Sequence, residues 1–356
     1  MSVADPSDSP AGLRVRRLDS ADAAAVARWE AFVAVSPAAT FFHRAAWQPL
    51  LREVFGHATF FLCAERDGAI EGILPLAQVK SRLFGNSLAA LPFAVYGGVV
   101  AATPEAAAAL EAEAERIALE LGVAHLEYRN LDARHADWPA QDLYVTFRKE
   151  IQPDDEANMN AIPRKQRAMV RKSIKNGLRA EVDTNADRFF ALYADNVHRH
   201  GTPAMPKRWF DSLMRAFGAD CDVLTVVAAD GTPVSSVLSF YFRDEILPYY
   251  AGDAVRAREL AANDFKYWSL MCHARQRGCK LFDYGRSKVG SGSYSFKKNW
   301  GFEPRPLHYE YRLYQRDSIP QNNPNNPKYK LMIAAWRRMP IALANFLGPF
   351  IVRNLG

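Results

Sequence analysis

Long apolar runs are missing from this chain of 356 residues: no stretch reaches the eighteen or so apolar residues that a membrane span needs. Cysteine is scarce. The four that occur, Cys63, Cys221, Cys272 and Cys279, share no C-x-x-C spacing, which argues against zinc and disulfides and for buried thiols in a reducing compartment. The opening MSVADPSDSPAG is polar and carries no apolar signal segment, so residues 1–12 are expected to be disordered and the protein cytoplasmic. No metal-ligand set is visible. His198 and His200 stand two apart, off a common helix face and without a nearby acid, and read as part of a mobile loop carrying substrate contacts. Acids are also absent from Pro163 to Ala180, where seven residues are Arg or Lys.

What is present describes a globular α/β protein. Apolar residues make up 49% and charged ones 24%, enough for a packed core, and the length suits two domains. Phe60 to Arg66, the turn Asp67-Gly68 and Ile70 to Val79 read as a hairpin. Residues 41–56 read as one helix and LPFAVYGGVV (91–100) as a further apolar strand broken by Gly97-Gly98. An alanine-rich helix from Pro104 and the strand GVAHLEYRN (122–130) follow. The second half repeats this plan: LTVVAADGTPVSSVLSFYF (224–242), a helix from about Asp264 to Gln276, then GCKLFDYGR (278–286), which matches GVAHLEYR in pattern. Hairpin, helix and strand recurring in one order argue for duplicated α/β units with mixed sheets. The expected division is 13–150, 151–316 and a linker with an apolar, basic tail over 317–356.

Two stretches carry chemistry. Residues 163–179 predict a helix started by Pro163 and ended near Gly177, with Val170, Ile174 and Leu178 as its apolar stripe. Arg164, Arg167, Arg171 and Lys175 fall on another face at spacings of three and four. Like charges so placed repel, and an opposing anion would turn that cost into binding; a merely solvated basic face is the alternative. The second stretch, LFDYGRSKVGSGSYSFKKNWGFEP (281–304), puts an acid, Asp283, at the end of a short buried strand. A loop with Gly285, Gly290 and Gly292 follows, flanked by Arg286 and Lys288 as candidate phosphate ligands. Tyr294, Phe296, Lys297, Lys298 and Trp300 come next. A solvated loop, with Asp283 paired to Arg286, is the alternative.

The tail KLMIAAWRRMPIALANFLGPFIVRNLG is apolar, bordered by Arg337, Arg338 and Arg353, and interrupted by Pro340 and Gly348-Pro349. It is too broken to span a bilayer. Two placements stay open: peripheral contact with the inner membrane face, or docking on the protein body.

DYGRSKVGSGSYSFKKNWGFEP, PRKQRAMVRKSIKNG and the earlier FFHRAAWQPLL together resemble the Fem family, and more narrowly the FemAB-related proteins that accompany exosortase (PEP-CTERM) systems and exopolysaccharide clusters. The resemblance implies two tandem acetyltransferase-like (GNAT) domains and transfer of an acyl or aminoacyl group onto an amine. The better-known Fem enzymes take amino acids from aminoacyl-tRNA. The family's F-K-x-x-F-G pattern falls on Phe296, Lys297, Trp300 and Gly301, with Trp300 in place of phenylalanine, so Lys297 inherits the role of acting on the donor's reacting end. The family's R-x-x-x-R-K helix falls on Arg167, Arg171 and Lys172. A coenzyme A enzyme would carry R-x-x-G-x-G/A where RARELAAND (256–264) stands without glycine, so backbone amides there are shielded from a pyrophosphate.

The expected chemistry is acyl transfer to an amine of a cell-envelope or exopolysaccharide precursor, an anionic acceptor. The donor is a co-substrate, aminoacyl-tRNA or acyl-coenzyme A, and no resident cofactor is implied. Asp283 would accept the amine proton, Lys297 would stabilise the oxyanion and Tyr294 would return a proton to the leaving oxygen. Arg164, Arg167, Arg171, Lys172, Lys175, Arg286, Lys288, Phe296 and Trp300 would bind substrate. The competing readings are a coenzyme A-dependent N-acyltransferase acting on an amino sugar, and a non-catalytic module binding RNA or a membrane surface.

Overall fold

A computed structural model describes residues 12–81, 84–319 and 330–354. The first part of the chain runs β1 (Leu13–Arg17), α1 (Ala23–Val35), α2 (Trp47–Phe55), β2 (Ala58–Arg66), β3 (Ala69–Ser81), β4 (Gly85–Ala89), β5 (Val100–Ala101), α3 (Pro104–Glu120), β6 (His125–Asn130) and β7 (Ala140–Gln141). Then come β8 (Tyr144–Glu150), α4 (Asp155–Ala161), α5 (Arg164–Lys175), β9 (Arg179–Asp183), α6 (Asp187–Arg199), α7 (Lys207–Phe217), β10 (Cys221–Val227), β11 (Pro233–Phe242) and β12 (Glu245–Asp253). The rest is α8 (Ala262–Gln276), β13 (Leu281–Asp283), β14 (Ser287–Lys288), α9 (Gly292–Asn299), β15 (Pro304–Pro306), β16 (His308–Leu313), α10 (Lys330–Arg338) and α11 (Ile341–Val352).

Each of two compact units is built on a mixed sheet. The first orders its strands β1-β2-β3-β4-β6-β16-β7, with β5 added to β3; the second orders them β14-β8-β13-β12-β11-β10-β9, with β15 added to β8. The duplicated plan is plain. In one unit β2, β3 and β4 are antiparallel, α3 crosses over, and β6 lies parallel to β4. In the other β10, β11 and β12 are antiparallel, α8 crosses over, and β13 lies parallel to β12. Asp67-Gly68 and Asp230-Gly231 sit in matching turns of the two units. Asp67 (φ 50°) and Gly68 (φ 82°) form the left-handed pair that a two-residue hairpin needs.

Packing follows the sequence pattern. Thr103 caps α3, Pro104 starts it, and Ala106, Leu110, Ala114 and Ile117 bury one face of it against the first sheet. In the second unit α8 buries Leu270, Met271 and Ala274 with Phe147, Ile246, Phe282, Trp300 and Phe302.

Several expectations need correction. The stretch 91–100 is not one strand: Leu91 and Phe93 take positive φ (57° and 67°), which breaks extension, and the pairing falls on β4 and β5 instead. Gly97 is there for closeness, since a Cβ on it would lie 2.4 Å from the Ala90 carbonyl oxygen. Residues 41–56 split into a 3₁₀ turn, Phe41–His43, and α2, because Arg44 is extended (ψ 141°). His198 lies within α6 and His200 is its C-cap, so neither sits on a loop between elements. The unit boundaries also differ from 13–150 and 151–316. The units are Met1–Gln141 with His308–Pro320 and Asn354–Gly356, and Asp142–Leu307 with Gln321–Arg353. The reason is strand pairing: β8 bonds to β13, β14 and β15, while β16 bonds back to β6. The expected disordered start, through residue 11, and the 321–329 linker lie outside the described residues.

Candidate active site

All the chemistry-bearing residues singled out above belong to the second unit. Its parallel pair β12 and β13 is joined only through Glu245–Ile246 against Leu281–Phe282. Beyond that the pairing stops, and a register shift next to Leu238 and Ser239 leaves Tyr249 bulged on β12. Open α/β sheets take ligands at the carboxyl ends of parallel strands, and Asp283 is the last residue of β13.

Asp283 is fully buried. Its Oδ1 accepts from the Gly285 backbone N–H (2.7 Å) and the Thr146 hydroxyl (3.2 Å), and its Oδ2 lies 3.2 Å from Nε of Arg148. Arg148 also bonds Glu245, so two carboxylates share one guanidinium. Burial, reinforced by the charge of Asp283, pushes the Glu245 carboxyl up against the pull of Arg148. Arg148 is thus a charged partner of Asp283 that the sequence did not point to. The Arg286 guanidinium lies over the Tyr144 ring, 4.6 Å from its centroid.

Lys297 is not on a strand. Ser291 caps α9 through the Tyr294 N–H, and residues 292–299 are helical. On a helix neighbouring side chains are about 100° apart, so Phe296 and Lys297 both turn inward while Lys298 stays exposed. The Lys297 ammonium donates to three backbone carbonyls of the loop after β13: Tyr284 (2.7 Å), Gly285 (3.1 Å) and Arg286 (3.3 Å). Burial lowers its pKa to about 7, with Asp283 opposing and Arg286 adding to the fall. The same Nζ stands 5.5 Å from the Phe147 ring, against which Tyr294 packs edge-on at 5.5 Å. Tyr294 and Lys297, at i and i+3, thus share Phe147.

Phe296 and Trp300 prove to be packing residues. Trp300 is fully buried and its indole N–H donates to Asp264 Oδ1 (3.0 Å); Phe296 packs on Tyr267. Gln166 of α5 donates to the same Asp264 oxygen, and Asn176 donates to the Leu260 carbonyl (3.1 Å). The basic helix is thereby fixed against the start of α8. Asp264 lies in the first turn of α8, where a bound anion would otherwise sit, and burial pushes its carboxyl up. Ala261 just before it takes φ 53°, a left-handed turn held without glycine.

On α5 itself Arg164, Arg171, Lys172 and Lys175 are exposed, and with Arg167 they line an open depression of about 580 Å³. Arg167 also braces the backbone: its guanidinium donates to the carbonyls of Asn160 (2.8 Å) and Ile162 (3.0 Å), closing the end of α4. The expected apolar stripe holds at Val170 and Leu178, but Ile174 is 46% exposed. The helix stops at Lys175 and Gly177 turns left-handed (φ 73°), so Leu178 is not one turn further along it. Lys288 is half-buried on β14. The structure thus brings Asp283 and Lys297 to the 284–286 loop that carries Arg286, sets Tyr294 one turn before Lys297 against Phe147, and ties α5 in through Asp264. Sequence reasoning missed Thr146 and Arg148 on β8, Glu245, and the linking role of Asp264.

Residues 164–298 match the model of the acetyltransferase (GNAT) domain. The UDP-N-acetylmuramoylpentapeptide-lysine N(6)-alanyltransferase of Weissella viridescens is 25% identical over 103 residues. That stretch spans 28% of this chain and 31% of the relative. Among solved structures, FemX superposes with a TM-score of 0.65 at 15% identity, over 90% of this chain and all of that one. L-PGS from Bacillus licheniformis gives 0.56 at 13% identity, over 88% and 97%. A tandem GNAT protein from the clavulanic acid biosynthesis pathway gives 0.54 at 14%, over 86% and 100%. The fold is that of tandem GNAT proteins such as FemX, with a GNAT acetyltransferase domain over residues 164–298.

Proposed function

We propose that the protein is an N-acyltransferase that moves an acyl or aminoacyl group from an activated carrier to an amine of a cell-envelope or exopolysaccharide precursor. The observation that carries this reading is Lys297: a buried ammonium at the carboxyl end of a parallel strand, on a helix shared with Tyr294. An amine attacking an ester carbonyl builds negative charge on the carbonyl oxygen, and a preorganised cation is worth about 3 kcal/mol there. The Arg286 carbonyl, the longest of the three Lys297 contacts at 3.3 Å, is the one an oxyanion would replace. Tyr294, half-buried on the same helix, would give its proton to the leaving oxygen as the carrier's ester bond breaks, and the proton released by the attacking amine would restore it. Asp283 is reassigned. Closed in by Arg148, Thr146 and Gly285, it is suited to holding the loop and favouring the charged form of Lys297, not to taking a proton from the acceptor.

Arg164, Arg171, Lys172 and Lys175 would hold phosphates of the donor or acceptor, with Arg286 and Lys288 nearer the loop. An aminoacyl-tRNA donor fits this cationic face and the alanyl transfer named for the Weissella viridescens relative. The resemblance to exosortase-associated FemAB proteins supports an exopolysaccharide acceptor, and a place for the protein on the inner membrane face. A second reading, coenzyme A-dependent transfer to an amino sugar, draws on the GNAT domain match. The carboxylate of Asp264 at the start of α8 weighs against a pyrophosphate there. Mass analysis of products after incubation with charged tRNA, acyl-coenzyme A and candidate amino sugars separates the two. A mass gain of one aminoacyl group, dependent on charged tRNA, is expected. Release of free thiol from acyl-coenzyme A would favour the second reading, and no product from any pair would leave only a binding role.

A further inference from the structure

Helices α10 and α11 both pack against α6. On α11 the buried residues are Ala344, Gly348 and Val352, four apart, and Gly348 seats where a Cβ would come within 3.1 Å of the Ala204 carbonyl oxygen. Leu343, Phe346 and Phe350 lie at i, i+3 and i+7 and are 46%, 67% and 56% exposed. At 100° per residue this second stripe is centred on the side opposite the first. A surface helix of a soluble protein ordinarily pairs one apolar face with one polar face, and α11 has two apolar ones. On α10 Leu331 and Met332 are exposed as well (85% and 56%).

Charge says what the outer face suits. From Ser318 to Gly356 the sequence holds no Asp or Glu against five Lys and Arg. Of these Arg338 and Arg353 are exposed, and Arg353 falls by helical spacing on the side of Phe346 and Phe350, whereas Arg337, also exposed, donates to the His200 carbonyl at the end of α6 (3.2 Å). We propose that α10 and α11 seat the protein on an anionic lipid surface, with Leu343, Phe346 and Phe350 at the acyl boundary and Arg338 and Arg353 on lipid phosphates. Among the described residues no helix is long and apolar enough to cross a membrane, so the pair would lie on the surface. A second copy of the chain is the poorer occupant, because a twofold contact would set this cationic rim against itself. The proposal deepens the peripheral placement above and does not depend on the transfer chemistry.

The test is co-sedimentation of the full chain with vesicles of phosphatidylcholine, and of an equal mixture of phosphatidylcholine and phosphatidylglycerol. Binding to the mixture alone is expected, weakening as salt rises. Arg338→Gln with Arg353→Gln should lower the partition about thirtyfold, and Phe346→Ser with Phe350→Ser at least about tenfold. Circular dichroism confirms that each variant is folded. No binding by the unaltered chain would overturn the proposal. So would binding undiminished in the phenylalanine variant but lost in Arg164→Gln with Arg171→Gln, which would move the contact to α5. A concentration-dependent dimer abolished by the phenylalanine substitutions would assign the face to a second copy. Product formation, measured separately without vesicles, reads the transfer reaction, so either reading can fail while the other stands.

Discussion

Lys297 is 8% exposed, and the loop carbonyls it meets require all three of its protons. If that ammonium stabilises the oxyanion, Lys297→Ala should lower turnover about a hundredfold or more, while Lys298→Ala, on the exposed side of α9, changes it little. Equal small losses at both positions would withdraw the assignment. With a pKa near 7 the active form declines as pH rises through neutrality. Arginine stays charged, so Lys297→Arg should keep partial activity and lose that alkaline limb; the ratio of the two pH profiles checks it. Stability runs the other way. An unfolded lysine titrates near 10.5 and the folded one near 7, so between these values the unfolded chain holds the extra proton and folding improves with pH. Urea midpoints of the wild type, taken relative to Lys297→Met, should therefore climb from pH 7 to 10; a flat difference would place the amine in water. Asp283→Ala removes a buried partner of Arg148 and should cost about 3 kcal/mol, read from the same urea curves.

Composition made α5 legible as a helix, because its Pro163 start and unbroken cationic face are local signals. α9 was not legible. GSYSFKKN opens with a glycine and carries two serines, poor helix formers, and the helix rests on the Ser291 cap and on burial of Lys297 and Phe296. The motif thus pointed to Lys297 while its local structure and its partners came only from the fold. β8 shows the opposite failure: a clear strand once paired, but one whose Thr146 and Arg148 gain meaning only from Asp283, 137 residues away in the case of Thr146. For α5, Arg164→Gln with Arg171→Gln should weaken binding of an anionic RNA ligand and reduce the slope of log affinity against log salt by about 1 to 2. Stability should hardly move, since both side chains are exposed. Arg167→Ala should differ, costing about 1–3 kcal/mol of stability through the unpaired carbonyls at the end of α4. Calorimetry of the variants, beside salt-dependent binding, separates the two roles.

The duplicated order of hairpin, helix and strand was legible across the whole chain, because turns and apolar alternation are local and the Asp-Gly pairs mark equivalent places. Where each unit ends was not, since that is decided by pairing between distant strands. Residue 151 looks like a fresh start after a polar run, yet β8 just before it bonds to β13, β14 and β15. A fragment 151–316 would leave β13 without a neighbour on one side, strip Asp283 of Thr146 and Arg148, and expose the core side of Val145 and Phe147 contacts. A fragment 142–353 keeps all of these, together with the α10 and α11 packing on α6. It also carries β16, which without β6 becomes a loose segment between β15 and α10. The longer fragment should therefore unfold cooperatively in urea with native-like circular dichroism, and the shorter one should show no cooperative transition. Because only seven residues, the β8 strand, separate the two starts in pairing terms, a fragment 142–316 completes the comparison. If it melts with 142–353, β8 is what the second unit needs; if 151–316 folds as well as either, the unit closes without β8, and the boundary at Asp142 is wrong.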